Sequence, residues 1–225
     1  KADIIEELKI PSEKIHVVYL ASSPDFLNFA QQDRLTRIKA IQNIKQKHQL
    51  QQPFILSVGT NEPRKNLARI IKAFAKLTYQ IKQPLNLVIV GRYGWGSELD
   101  QIDPVIKKRI KLLGFVDQSD LPSLYRAAEI FVYPSLYEGF GLPVLEAMTV
   151  GTPVVTTKKG SLSEVAGSAA ILADPYSTAN ISQAMQQALL EAKDLRHKGY
   201  LQAKKFSWEK AAQQTLSVYE SLNSI

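Results

Sequence analysis

Two carboxylates with the chemistry of hydroxyl acceptors, Glu138 and Glu146, are separated by seven residues that include Gly139-Phe140-Gly141-Leu142-Pro143. Two glycines bracket Phe140, and Pro143 fits the first turn of a following helix. Loop amides next to a helix N-terminus form an anion cradle. Carboxylates beside such a cradle are paradoxical as phosphate ligands but suit sugar or ribose hydroxyls, because charged acceptors bind them well. Taken singly, each glutamate also reads as an ordinary surface or helix-face charge. A second segment, Gly59-Thr60-Asn61-Glu62-Pro63-Arg64-Lys65-Asn66, sets two adjacent cations after a glycine and before a helical pattern. That combination suits a diphosphate, although a solvated basic loop has the same composition. Gly91-Arg92-Tyr93-Gly94-Trp95-Gly96 has glycines but lacks the G-x-G-x-x-G spacing, and no Walker pattern occurs.

These segments need elements to hold them. Apolar runs at 54–58, 85–90, 112–116, 130–133, 153–156 and 169–172 each precede a helical pattern. Leu67, Ile70, Ile71, Phe74 and Leu77 share one helical face. So do Leu121, Leu124, Tyr125 and Ala128, and so do Ile181, Ala184, Met185, Ala188 and Leu189 behind the cap Ser177. Apolar strands alternating with helices predict an α/β, Rossmann-like, doubly wound parallel sheet with helices on both faces. In such sheets ligands bind outside the carboxyl ends of the strands, where both glycine-rich segments fall. Residues 14–19 read as one more strand after a helix-like segment at 4–8. Residues 22–25 read as a turn-rich break, and residues 31–50 as a basic helix leading into the main domain. Ser207 is placed to cap a last helix carrying Trp208, Ala211, Ala212, Leu216 and Tyr219.

Composition removes several classes. The 225 residues hold 28 Lys and Arg against 21 Asp and Glu, a formal charge of +7 that favours anionic partners. There is no cysteine, so disulfides, thiolate metal sites and thiol nucleophiles are excluded. His16, His48 and His197 lack metal-ligand spacing, and no Asp-x-Asp occurs, so no metal is expected. No apolar run reaches the length of a membrane helix, and no signal-peptide pattern opens the chain.

The residues resemble the family 4 retaining glycosyltransferases. Glu138 and Glu146 match that family's E-x7-E signature. The segment 57–66 resembles its phosphate loop, and Gly114-Phe115-Val116 before Asp120-Leu121 and Gly151-Thr152-Pro153-Val154-Val155 follow in the family's order. The resemblance spans about residues 53–222. It implies the C-terminal, donor-binding half of a GT-B fold, with residues 1–50 a remnant of the N-terminal domain and linker and 51–225 the nucleotide-sugar-binding domain. The first residue is Lys and not Met, which fits a piece of a longer protein.

By the same resemblance, Arg64 and Lys65 hold the donor diphosphate, and Glu138 meets sugar hydroxyls near the anomeric centre. Glu146 meets the ribose, and the backbone near Val116 meets the base. Gly59, Thr60, Gly91, Gly139, Phe140, Gly141 and Leu142 line the donor. Thr60 stands where many relatives have Arg, which shifts the phosphate charge onto Arg64 and Lys65. The implied reaction is metal-independent, retaining hexosyl transfer for glycan or polysaccharide synthesis, with UDP-hexose (UDP-glucose) expected ahead of GDP-mannose. The acceptor is a sugar or glycolipid reached through the missing domain. Its place is the cytoplasm, with peripheral contact at the inner face of the membrane. A nucleotide-sugar epimerase or a phosphorylase-like enzyme sharing the fold is the alternative, separable by product analysis. A Rossmann oxidoreductase lacks its glycine fingerprint here, and a nucleic-acid module lacks aromatics interleaved on a basic face.

Overall fold

The computed structural model describes residues 1–60, 62–81, 83–92 and 102–223. In chain order the helices are α1 (Ala2–Leu8), α2 (Pro24–Gln31), α3 (Arg34–Lys47), α4 (Leu67–Gln80), α5 (Pro104–Lys107) and α6 (Leu121–Ala127). They continue with α7 (Leu142–Thr149), α8 (Leu162–Ala166), α9 (Thr178–Leu190), α10 (Ala192–Ala203) and α11 (Trp208–Asn223). The strands are β1 (Phe54–Val58), β2 (Asn86–Val90), β3 (Ile110–Gly114), β4 (Ile130–Val132), β5 (Val154–Thr157) and β6 (Ala170–Ala173). By contact the chain forms two compact units, Ser22–Lys204 and the pair Lys1–Ala21 with Lys205–Ile225.

In the larger unit all six strands are parallel, in the order β3-β2-β1-β4-β5-β6. The order reverses between β1 and β4, so the chain leaves the sheet in opposite directions at that point and opens a crevice at its carboxyl ends. Both faces are covered, which is why β1, β4 and β5 are buried almost without interruption. On one face α4 and α9 bury Ile70, Phe74, Leu77, Ile181 and Met185 against Ile55, Leu87 and Val132. Fully burying each such side chain is worth about 1.5–3 kcal/mol. The other face is aromatic. Phe26 of α2 meets Tyr125 of α6 edge-on at 5.1 Å, Tyr125 lies 4.9 Å from Phe131, and Phe131 stacks at 5.7 Å on Tyr133. This ladder ends at the phenol of Tyr133, at the carboxyl end of β4.

Three expectations change. Residues 14–19 form no strand: Ser12–Lys14 is a 3-10 turn, and the extended chain after it has no strand ladder among the described residues. A β-rich run needs a neighbouring edge to satisfy its amides, and sequence alone does not supply one. The turn signal at 22–25 is instead the start of α2, with Ser23 at the N-cap, Pro24 in the first turn and Asp25 favouring the helix dipole. The third strand ends at Gly114, so Phe115 and Val116 lie beyond it. In the basic segment, Asp33 caps α3 through the amides of Leu35 (2.8 Å) and Thr36 (3.0 Å), and Ile44 is its buried residue. Ser177 caps α9 as expected, accepting from the Asn180 amide at 3.2 Å.

The smaller unit contains α1 and α11. Tyr19 packs edge-on against Phe206 at 5.7 Å, and the Ser207 hydroxyl accepts from the Lys210 amide at 3.2 Å as the expected cap. Of the expected apolar stripe on α11, Ala211 is buried, whereas Trp208, Leu216 and Tyr219 are exposed.

The loops that follow β1 and β2 press together. Gly91 has φ +132°, and a Cβ there would sit 2.1 Å from the Gly59 carbonyl oxygen. Only glycine fits both conditions. Gly91→Ala is therefore expected to cost about 2–4 kcal/mol in urea denaturation, through strain and displacement of the segment after β1. An unchanged midpoint would refute that close approach.

Candidate functional site

The site grows from the carboxyl ends of β1 and β4, which are neighbours in the sheet. The Gly59 amide donates to Val90 O at 2.9 Å, and the chain then makes the 3-10 turn Pro63–Lys65. Asn66 follows at φ 63°, a left-handed conformation that asparagine tolerates, and hands the chain to α4. Its buried side chain donates to Pro134 O at 3.0 Å and Pro175 O at 2.7 Å. It thus clamps the segments after β1, β4 and β6 together. The Leu136 amide donates to Arg64 O at 2.7 Å, and the Ser135 hydroxyl lies 2.8 Å from the same oxygen, which closes the first two segments on each other.

Glu138 is the centre of the cluster. Its Oε1 accepts from Lys65 Nζ at 2.7 Å, Ser135 Oγ at 2.7 Å and Tyr133 OH at 2.8 Å, and its Oε2 accepts from Arg64 Nη1 at 2.9 Å. Lys65 also donates to Tyr133. Arg64 reaches a second carboxylate, Glu62, through Nε at 2.7 Å, and Glu62 accepts from the Thr60 hydroxyl. Burial alone would raise the Glu138 pKa, but donation from Lys65, Ser135 and Tyr133 outweighs it, and the carboxyl titrates below its ordinary value. The same carboxylate, after burial, pushes the Tyr133 phenol far up. Glu138 is therefore a permanent anion and Tyr133 a permanent hydrogen-bond donor at neutral pH.

Glu146 behaves in the opposite way. It sits in the second turn of α7, its Oε2 accepts from Tyr125 OH at 3.4 Å, and burial pushes its pKa up to about 7. Tyr125 belongs to the aromatic ladder that ends at Tyr133, so the ladder separates the two carboxylates while fixing both. Gly141, at φ +98°, starts α7 with its α-carbon against Leu162, where a Cβ would fall 2.7 Å from Cδ2.

The structure thus brings Arg64, Lys65 and Glu138 into direct contact, with Gly59 and Thr60 beside them. Gly91 abuts Gly59, and its amide donates a hydrogen bond to Gly114 O at 2.8 Å. Val116 is buried just past β3, Gly139 and Leu142 are exposed, and Phe140 is half-buried. Asn61, Tyr93, Gly94, Trp95 and Gly96 lie outside the described residues. Sequence reasoning missed Asn66 as a clamp and Tyr133, Ser135 and Tyr125 as partners of the carboxylates. The available signal was the i, i+2 spacing of Phe131 and Tyr133, which puts both rings on one face of β4. Among the described residues no group of three or more His, Asp or Glu could hold a metal ion, and no helix is long and apolar enough to cross a membrane.

The family model described as "Glycosyl transferases group 1" matches residues 39–206. The O-antigen chain mannosyltransferase B of Escherichia coli is 37% identical over 231 residues, covering 99% of this chain and 58% of that protein. The serotype-specific mannosyltransferase WbdA of Escherichia coli is 31% identical over 220 residues, covering 93% of this chain and 26% of that protein. Among solved structures, a glycosyltransferase from Rickettsia africae ESF-5 superposes with a TM-score of 0.83 at 18% identity, over 98% of this chain and 60% of the other. Anabaena Alr3699/HepE in complex with UDP-glucose gives 0.76 at 19% identity, over 98% and 60%. These likenesses carry the fold, and the chain spans well under two thirds of each of these relatives.

The raised Glu146 pKa has a consequence for stability. The folded state holds this proton more tightly than the unfolded chain, where the ordinary value is 4.5. Its contribution is therefore full below about 4.5 and is lost as pH rises through about 7. Relative to Glu146→Gln, the wild type is expected to lose about 2–3 kcal/mol between pH 5 and pH 8 by chemical denaturation. Parallel pH profiles for the two proteins would contradict the burial of this carboxyl.

Proposed function

The chain belongs to the group 1 glycosyl transferases, and from that premise we propose that it is the donor-binding half of a retaining, metal-independent hexosyltransferase. The observation that carries the reading is the Arg64–Glu138–Lys65 cluster at the carboxyl ends of β1 and β4, where the strand order reverses. A nucleoside-diphosphate sugar lies across that crevice with its diphosphate on Arg64 and Lys65 and on the amides from Gly139 to Leu142. Arg64, whose side chain is 43% exposed, has room to turn from Glu138 to a phosphate, whereas Lys65, at 14%, stays in place. When the bond from the anomeric carbon to the phosphate oxygen breaks, negative charge grows on the diphosphate, and fixed cations lower that barrier without a metal. Positive charge grows at the same time on the sugar ring, where the permanent anion Glu138 stabilises it. The acceptor hydroxyl then bonds the anomeric carbon on the face the phosphate leaves, and its proton passes to the departing diphosphate oxygen.

Glu146 takes the ribose. A carboxyl that titrates near neutrality gains from two hydroxyl donors, since these favour its charged form. Mannose is favoured over glucose as the transferred sugar, with GDP-mannose as its donor, because the curated relatives at 37% and 31% identity are named mannosyltransferases. The UDP-glucose complex among the neighbours, at 19% identity, gives less support to the UDP-hexose expectation. The acceptor is a growing glycan or glycolipid presented by the part of the relatives that this chain does not span, at the inner face of a membrane.

Calorimetric titration of this chain with GDP and UDP, in EDTA, tests the reading. Binding is expected without added metal, and Arg64→Ala and Lys65→Ala should each weaken it by about 1.5–3 kcal/mol. Equal affinity in the wild type and the double variant, or binding only with Mg²⁺, would sink the proposal. Glu138→Gln, which keeps acceptor and donor groups among Lys65, Arg64, Ser135 and Tyr133 but removes the charge, is expected to leave nucleotide affinity within about threefold, while sugar transfer by the whole enzyme falls by about 100-fold or more. Loss of plain nucleotide binding in that variant would reassign Glu138 to the diphosphate.

A further inference from the structure

Opposite the crevice, at the amino ends of the strands, three arginines from three helices converge. Arg37 comes from the first turns of α3, Arg126 from the last turn of α6 and Arg196 from α10. Arg196 donates through Nη1 to Gly151 O at 3.1 Å, just before β5, and its Nη2 lies 3.9 Å from Glu129 Oε2, just before β4. Glu129 is the carboxylate that acts on both Arg126 and Arg196. All three arginines are half-buried, and the guanidinium groups of Arg37 and Arg126 make no hydrogen bond or ion pair among the described residues. Three guanidinium groups beside that carboxylate leave an excess of positive charge on a half-buried patch, which repels itself unless an anion enters. Burial, then Arg196, then Arg37 depress the Arg126 pKa, the direction expected of a cation short of counter-charge. Arg196 is depressed by burial as well.

We propose that Arg37, Arg126 and Arg196 form a second anion site, for a phosphate group, at the end of the sheet opposite the donor crevice. The planar forks of three guanidinium groups match a tetrahedral oxyanion, which accepts several charge-assisted bonds at once. Arg196 is held in place by Gly151 and Glu129, and Arg126 and Arg37 supply the free donors. The phosphate comes either as a free ion or as the headgroup of an anionic lipid. A strand's length of packed sheet separates this recess from Arg64 and Lys65, so the site is independent of the donor reading.

The test uses the whole chain carrying Arg64→Gln, Lys65→Gln and Glu138→Gln, which removes the cations of the donor crevice together with the buried carboxylate they neutralise. It is titrated with inorganic phosphate by calorimetry at low ionic strength, and floated with vesicles of phosphatidylglycerol or of phosphatidylcholine. Saturable phosphate binding, or flotation with phosphatidylglycerol alone, is expected, and adding Arg126→Gln or Arg37→Gln should weaken it by about tenfold. Phosphate binding without flotation assigns the free ion, and flotation without phosphate binding assigns the lipid headgroup. Either supports the site. Absence of both, or binding equal in the Arg126→Gln variant, overturns it. Melting supplies the second readout: in phosphate-free buffer Arg126→Gln should melt at or above its parent, because it relieves repulsion. A clear fall in melting temperature would make the arginine a structural residue and would also overturn the proposal.

Discussion

The buried carboxylate of Glu138 is the constraint on which the rest of the site depends. A charge so far removed from water persists only if donors replace its hydration. Here four side chains do so: Lys65 and Arg64 after β1, and Tyr133 and Ser135 after β4. The requirement ties together two segments more than 70 residues apart in sequence. Removing one partner of such a buried pair costs about 3–5 kcal/mol, far more than an exposed ion pair contributes. The cluster therefore holds its cations in position before any ligand arrives, which is the condition for electrostatic preorganisation.

The packing beneath the cluster sets its geometry. The aromatic ladder from Phe26 through Tyr125 and Phe131 delivers the Tyr133 phenol to Glu138. Side chains in such a stack have little freedom, so the phenol needs no further ordering to donate. The same ladder places the Tyr125 phenol at Glu146. Two carboxylates on one loop and helix thus end in opposite conditions. Glu138 is surrounded by donors and stays charged, while Glu146 is half-buried with one long hydrogen bond and titrates near neutrality. Environments that push two carboxyls apart in this way give them different tasks.

The reversal of strand order decides where these groups meet. Crossovers leave β1 and β4 toward opposite faces of the sheet, so among the described residues no crossover helix covers the gap between their carboxyl ends. Asn66 spans that gap with hydrogen bonds to Pro134 and Pro175 and keeps the crevice from spreading. At the amino ends α3, α6 and α10 carry Arg37, Arg126 and Arg196 near Glu129. The two ends of one sheet thus carry a compensated charge cluster and an undercompensated one.

Local information sufficed for much of this protein. Apolar runs of about five residues between helical patterns determined the doubly wound class, because period and burial are written into neighbouring residues. The capping of α9 by Ser177 and the placement of Pro143 in the first turn of α7 were legible for the same reason. The spacing of Glu138 and Glu146 around two glycines marked the candidate site. What the tertiary structure alone decided is what depends on distant partners. Residues 14–19 have the composition of a strand, but a strand exists only where another edge accepts its hydrogen bonds. Ser22 to Asp25 read as a turn until packing of Phe26 on Tyr125 selected a helix. The roles of Tyr133 and Ser135 could not be read locally, because they arise when the carboxylate of Glu138 is brought against cations that follow a different strand. No pattern in the intervening residues encodes that meeting; the strand order does.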